Sequence, residues 1–223
     1  MNLTISDELL TIIPELDVIA YEITFSDDYD VLNQNECVDQ LLKTLSLQLQ
    51  GKYRYEDVCK IEKLKFTRDG YKKLGKDPSH TRPAPEALLR RILQNRDLYR
   101  LGDVIDLGNI LSLATLRSVC VVDSSKIIGD ILITKGIKEE SFTGINRGII
   151  NADNLVVYKD QLGIFGSTTS DTLRTMVTNS TQSVLIMLIC FDDSEKEQDE
   201  QTLIDLYQKY TVVKTITKVN RRN

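Results

Sequence analysis

Apolar and polar positions alternate with two different periods along the chain, and the change of period divides it into elements. In DVIAYEITF the residues Ile19, Tyr21, Ile23 and Phe25 fall on one face with period two, which predicts a half-buried strand from Asp17. Val38, Leu41, Leu42, Leu45 and Leu49 then recur at helical spacing up to Gly51 and predict an amphipathic helix packed on a sheet. A charged, weakly helical region runs to Gly75, and KDPSHTRPAP follows as a loop, because its three prolines forbid a continuous helix. PEALLRRILQNR reads as a helix with Pro85 in its first turn and Glu86 placed to pair with Arg90 at i, i+4. DVIDLGNILSLATL, Asp103 to Leu116, is apolar almost all round and predicts a buried helix. Short strands are expected at Val119–Val122, Ile127–Thr134 and Ser183–Phe191, with a hairpin of Leu155–Tyr158 and Leu162–Phe165. A helix from Glu197 to Tyr210 and the strand TVVKTITKV close the chain.

With helices early, strands late, no linker and no internal repeat, the pattern argues for one α+β domain over 1–223 and against a doubly wound parallel fold. Composition agrees: 41% hydrophobic and 27% charged residues suit a globular core. The longest apolar run, Val184 to Phe191, is too short for a membrane span. The acidic N-terminus, broken by Pro14, lacks a signal-peptide pattern, so a cytoplasmic protein away from membranes is expected. Four cysteines without any CxxC, and a single histidine, His80, give no metal-site signature; neither a metal nor a cofactor is expected.

Charge is unevenly spread. The chain holds 28 Lys plus Arg against 33 Asp plus Glu, a formal net charge of -5, yet Lys60 to Arg100 contains twelve basic and five acidic residues. That stretch fits either a solvated helix face or an electrostatic footprint for an RNA backbone. GYKKLGKD resembles a phosphate-binding loop, but Asp77 replaces the hydroxyl residue and Pro78 follows, so nucleotide binding is rejected. A Ser–His–Asp or Cys–His arrangement would have to recruit His80 from its loop, and nothing in the spacing supports it.

Three features remain as candidate chemistry. Asp106, Asn109 and Ser112 recur at i, i+3, i+6 in an otherwise apolar helix that also contains Gly108. Either Asp106 pairs with Arg90 or Arg91 while Gly108 permits close packing, or Asn109 presents its amide to a ligand in a pocket to which Gly108 gives room. From Gly166 to Ser183, ten of eighteen residues are Ser or Thr, with Arg174 among them, suited to turns or to a polar wall for an α-amino group or a ribose. The acidic run Asp192 to Glu200 reads as a solvated linker or an interaction tail.

RDGYKKLGKDPSHTRPAPEALLRRIL followed by DVIDLGNILSLATLRSVCVVDSSKIIGDI resembles the tRNA-editing domain of the phenylalanyl-tRNA synthetase beta chain, and is most similar to free-standing proteins made of that domain. The likeness rests on an Arg-rich helix after a Pro-containing loop, a VDxxN-like helix at Val104–Asn109, the strand Cys120–Asp123 and a late strand running into Phe191-Asp192. It covers about Arg68 to Asp193, leaving 1–67 as an N-terminal strand–helix extension and 194–223 as a C-terminal helix and strand. The resemblance implies an α+β fold of β-sandwich-like mixed sheets with flanking helices. It also implies a pocket in which a mischarged aminoacyl end of tRNA is hydrolysed without a nucleotide cofactor. Carried over by motif position, Asn109, Gly108, Cys120, Thr175 and Met176 fall at the pocket; Asn109 and Thr175, with Asp106 holding the helix or the amino group, are the expected catalytic group, and Gly108, Cys120, Met176 and, from the hydroxyl-rich stretch, Arg174 the expected substrate contacts. Cys120 takes the place of an editing-site histidine, while Thr175 and Met176 stand about where the synthetase keeps a glutamate. Arg82, Arg90 and Arg91 are the expected contacts to tRNA. Ester hydrolysis needs only a positioned water and a stabilised oxyanion. The competing reading is a non-catalytic module that binds tRNA or an amino acid.

Overall fold

The eight-residue strand Ser183–Cys190, apolar from Val184 onward, lies at the centre of the fold because it is buried on both faces. Leu185, Met187 and Ile189 point into one core, and Val184, Ile186, Leu188 and Cys190 into another. A computed structural model describes residues 1–222. In chain order the elements are β1 (Asn2–Ile5), α1 (Asp7–Ile12), β2 (Asp17–Phe25), α2 (Glu36–Lys52), α3 (Glu62–Lys73), α4 (Ala84–Leu93), α5 (Asp103–Thr115) and β3 (Ser118–Asp123). They continue with β4 (Ile131–Lys135), the hairpin β5 (Ser141–Gly144) and β6 (Gly148–Asn151), β7 (Val156–Asp160), β8 (Gly163–Ser167) and β9 (Ser170–Asp171). The central strand Ser183–Cys190 is β10, followed by α6 (Lys196–Tyr210), β11 (Val213–Lys218) and β12 (Asn220–Arg221).

Two sheets make the sandwich. One is six-stranded in the order β12-β1-β4-β7-β8-β9, the other four-stranded in the order β11-β2-β10-β3, and β5–β6 forms a separate two-stranded ribbon. Between the sheets, Leu3, Ile5, Ile133, Val156 and Phe165 meet Ala20, Cys120, Val122 and Met187. On the opposite face of the smaller sheet, α2, α4, α5 and α6 bury Leu42, Leu89, Leu107, Leu111 and Tyr207 against Ile23 and Ile186. Helix α3 serves both cores, with Leu64 in the helical one and Tyr71 between the sheets.

The α+β class and the mixed-sheet sandwich with flanking helices agree with the sequence reading. The separation of helices from strands does not: β1 lies between β12 and β4, and β2 between β11 and β10. The N- and C-terminal segments therefore pair with each other and belong to both sheets, so residues 1–67 are no appendage.

Local sequence explains several boundaries. Pro83 caps α4 and Pro85 sits in its first turn, where no intrahelical N–H is required. The phosphate-loop look-alike ends α3. Gly75, at φ 86°, donates its N–H to the Lys72 carbonyl, and Lys76 donates to the Tyr71 carbonyl. Those two bonds define a Schellman terminus, so the glycine is there for its left-handed backbone.

Candidate functional site at the seam between the sheets

Strand β3 ends one sheet and β9 ends the other, and the two edges face each other. Alternation along β3 turns Val119 and Val121 toward the helices and Cys120 and Val122 toward the inter-sheet core. Asp171 faces β3 across the seam, where the Val121 backbone N–H and the Cys120 thiol are donors that favour its ionised form. Burial outweighs those two donors and pushes the Asp171 carboxyl up to about 7. Burial likewise pushes the Cys120 thiol well above its ordinary value, with the Asp171 charge adding to it, so Cys120 stays a neutral thiol rather than a nucleophilic thiolate.

Tyr158 completes the cluster from β7. Its ring is fully buried 6.0 Å from Phe165, and its hydroxyl has no hydrogen-bond partner among the described residues. Burial first, then the nearby Cys120, Asp171 and Tyr71, hold the phenol far above its usual range. Gly166 makes this approach possible, since a Cβ there would lie 2.9 Å from the Tyr158 ring and 3.0 Å from Asp171 Oδ1. From α3, the Tyr71 hydroxyl is hydrogen-bonded to Thr168 Oγ1. The Thr168 carbonyl accepts from Ser118 Oγ at 3.3 Å and from the Ala84 N–H at 3.2 Å. The seam therefore holds a carboxyl pushed up to about 7, a neutral thiol and an unpartnered phenol, with aromatic walls.

The residues expected from sequence do not converge on this place as a set. Asp106 is fastened by Arg100 Nε at 2.7 Å and by the Leu101 N–H at 3.1 Å, not by Arg90 or Arg91. Its carboxylate folds the preceding loop back onto α5. Gly108 serves packing: a Cβ there would stand 2.4 Å from Val121 Cγ2, on the face of β3 opposite Cys120. Asn109 is half-buried on the same helix, and Ser112 Oγ is used on the Arg117 carbonyl at 2.7 Å. The four-stranded sheet lies between this helix and Thr175, which is fully buried and bonds to the Phe165 carbonyl at 3.2 Å. Arg174 is bound to Asp160 at 2.9 and 3.0 Å, and the Met176 carbonyl accepts from Lys126 Nζ at 2.7 Å. Of the expected contacts, Cys120 alone stands in the polar seam cluster.

The expected RNA contacts divide too. Arg82 is exposed. Arg90 holds Glu86 at 2.8 Å and the Tyr55 carbonyl at 3.0 Å, and Arg91 binds the Asp97 carbonyl at 2.8 Å while lying over the Tyr99 ring. Both guanidiniums are thus engaged within the fold. The run after β10 is no simple solvated linker: Asp192 and Asp199 clamp the fully buried Arg117, with Nε–Asp199 at 2.9 Å. His80 is exposed and pairs with Asp77 at 2.7 Å, remote from any nucleophile pairing.

Asp171 and Tyr158 escaped the sequence reading. The available signal was an acid standing alone among the hydroxyls of 166–183, beside a glycine in strand context. Among the described residues no group of three His, Cys, Asp or Glu side chains is placed to hold a metal ion, and no helix is long and apolar enough to cross a membrane.

Architecture and site define a class: an α+β sandwich of two mixed sheets with helices on one outer face and a polar seam between the sheet edges. Residues 67–211, well over half of the chain, match the B3/4 domain, and the chain belongs to that family. Among solved structures, an N-terminal fragment of the phenylalanyl-tRNA synthetase beta-subunit from Pyrococcus horikoshii shares the fold, with 12% identity and a TM-score of 0.52 over 99% of this chain. The chain spans about half of that fragment, 51%. No curated protein matches.

Proposed function

We propose that this B3/4 chain receives the aminoacylated 3′ end of tRNA at the seam between β3 and β9 and hydrolyses the ester of a mischarged aminoacyl-tRNA. One observation carries the reading: the buried Tyr158 hydroxyl, without a partner, beside a carboxyl that titrates at about 7. A buried phenol left unpaired costs about 1–3 kcal/mol, and a ligand's polar group in the seam would remove that cost. Ionised Asp171 takes a proton from a water, the water oxygen attacks the ester carbonyl, and the bond from the acyl carbon to the ribose oxygen breaks as protonated Asp171 returns that proton to the leaving oxygen, giving the free amino acid and a tRNA with a free terminal ribose hydroxyl. In this reading the base is Asp171 rather than Asn109 or Asp106, while Cys120 and Thr175 remain as walls.

A second reading, a module that binds tRNA or an amino acid without turnover, draws on the closure of the cluster, where Cys120 is 1% and Tyr158 0% exposed. Release of labelled amino acid from a panel of cognate and mischarged aminoacyl-tRNAs separates the two. Selective release that rises with pH through about 7 and is lost in Asp171→Asn supports hydrolysis. Binding without release supports the second reading, and neither binding nor release refutes both.

A further inference from the structure

Helix α3 separates two grooves of opposite sign. On one flank, Cys59, Lys60, Lys65, Arg68, Asp69 and Lys72 line a concavity of about 380 Å³. On the other, a concavity of about 480 Å³ carries Glu15, Glu62, Asp192 and Asp193 around Phe66 and Phe191. Lys65 and Lys72 are both exposed and stand seven residues apart, so they share one face about 10 Å along the helix. Lys65 forms no ion pair among the described residues. Arg68 is held in place by Glu86, which is fully buried and is shared with Arg90, so two guanidinium charges meet one carboxylate. The groove thus combines exposed lysines, of which Lys60 pairs with Asp57 and Lys72 with Asp69, with one preorganised arginine.

We infer that this groove along α3 binds the phosphodiester backbone of RNA, an inference that rests on the reading that the seam receives a tRNA 3′ end. Charge argues for a polyanion: the chain carries -5 overall, but Lys60 to Arg100 is net basic and the opposite flank of α3 is acidic, so only one side attracts phosphate. Position argues for RNA. One turn after Arg68 the same helix sends Tyr71 inward to Thr168 in the seam. A strand held over Lys65 and Lys72 therefore lies on the outer face of the helix whose inner face reaches the seam. Arg90 and Arg91 do not line this groove.

The probe is a short single-stranded RNA ending in CCA, fluorescently labelled and not esterified, titrated with the full chain at several salt concentrations. The double variant Lys65→Glu, Lys72→Glu changes exposed side chains, and its fold is checked by circular dichroism. The expected result is a loss of at least about tenfold in affinity and a log–log salt slope shallower by about 1.4, two contacts at about 0.7 each. Lys209→Glu with Lys214→Glu, on α6 and β11, is expected to bind like the parent. Unchanged affinity and slope in the α3 variant overturn the inference, as does a polyglutamate that competes as well as RNA. Groove-dependent RNA binding with no amino acid released from any aminoacyl-tRNA leaves the groove standing and removes the editing reading. Release from an aminoacyl-adenosine without RNA binding does the reverse.

Discussion

Replacing Asp171 with Asn tests the electrostatics of the seam independently of any substrate. The carboxyl rises from 3.8 to about 7 on folding, a change of about three units, which at 1.36 kcal/mol per unit disfavours the folded protein by at most about 4 kcal/mol once the group is ionised. Between the unfolded value and about 7, the folded chain keeps a proton that the unfolded chain has released, so stability conferred at low pH is lost as pH rises. Asn keeps a side-chain acceptor for the Val121 amide and cannot ionise. The stability of Asp171→Asn relative to the parent should therefore increase by about 3 kcal/mol from pH 5 to pH 8, nearly all of it below pH 7. The groups facing Asp171 do not confound the window: Cys120 from β3, Tyr158 from β7 and Tyr71 from α3 are all raised and stay neutral throughout. Urea denaturation of both proteins at each pH is the assay, with slopes of about 1–3 kcal/mol/M turning the effect into a midpoint difference on the order of 1–3 M. Two curves that run parallel across the window would refute the claim that burial dominates at Asp171.

Other sites give equally direct tests. Arg117→Ala leaves buried Asp192 without its cation and Asp199 with Lys63 alone and should cost about 3–5 kcal/mol, measured by the same denaturation, whereas Lys60→Ala, an exposed partner of Asp57, should cost less than about 1 kcal/mol. Gly108→Ala pushes a methyl against Val121 Cγ2 and should destabilise by about 1–3 kcal/mol, with Val121→Ala in the same chain recovering part of it; additive losses would show that the contact is not the cause. Gly75→Ala forces a left-handed backbone onto alanine and should lower stability by about 1 kcal/mol without changing RNA affinity, which separates the helix terminus from any phosphate-binding role.

What the sequence revealed and concealed follows one physical line: local periodicity reports which residues face a core but not which core. The length and unbroken apolarity of Ser183–Cys190 marked a strand buried on both faces, and the helix at Asp103–Thr115 was equally plain from its residues. The four-residue β1 had no such signal, because its partners β4 and β12 lie more than a hundred residues away. Asp106 looked toward Arg90 and Arg91 because helical spacing favours a neighbouring helix, whereas Arg100 reaches it from a loop that periodicity does not describe. Spacing along the chain also does not report which face of a strand a residue takes. Gly108 and Cys120 are close in sequence, yet strand alternation puts Val121 against the helix and Cys120 on the other face, so nearness along the chain became opposition across a sheet. Asp171 reaches β3 only because two sheets bring their edges together, a contact between segments fifty residues apart. Elsewhere local choices and global fold agree: Pro85 opens a helix, Gly75 ends one, and Arg117 answers two carboxylates. Against that consistency, an unpartnered buried phenol beside a carboxyl kept from ionising is the sort of local cost that a fold retains where a ligand offsets it. This contrast, more than the likeness of the fold, directs the search for substrate to the seam.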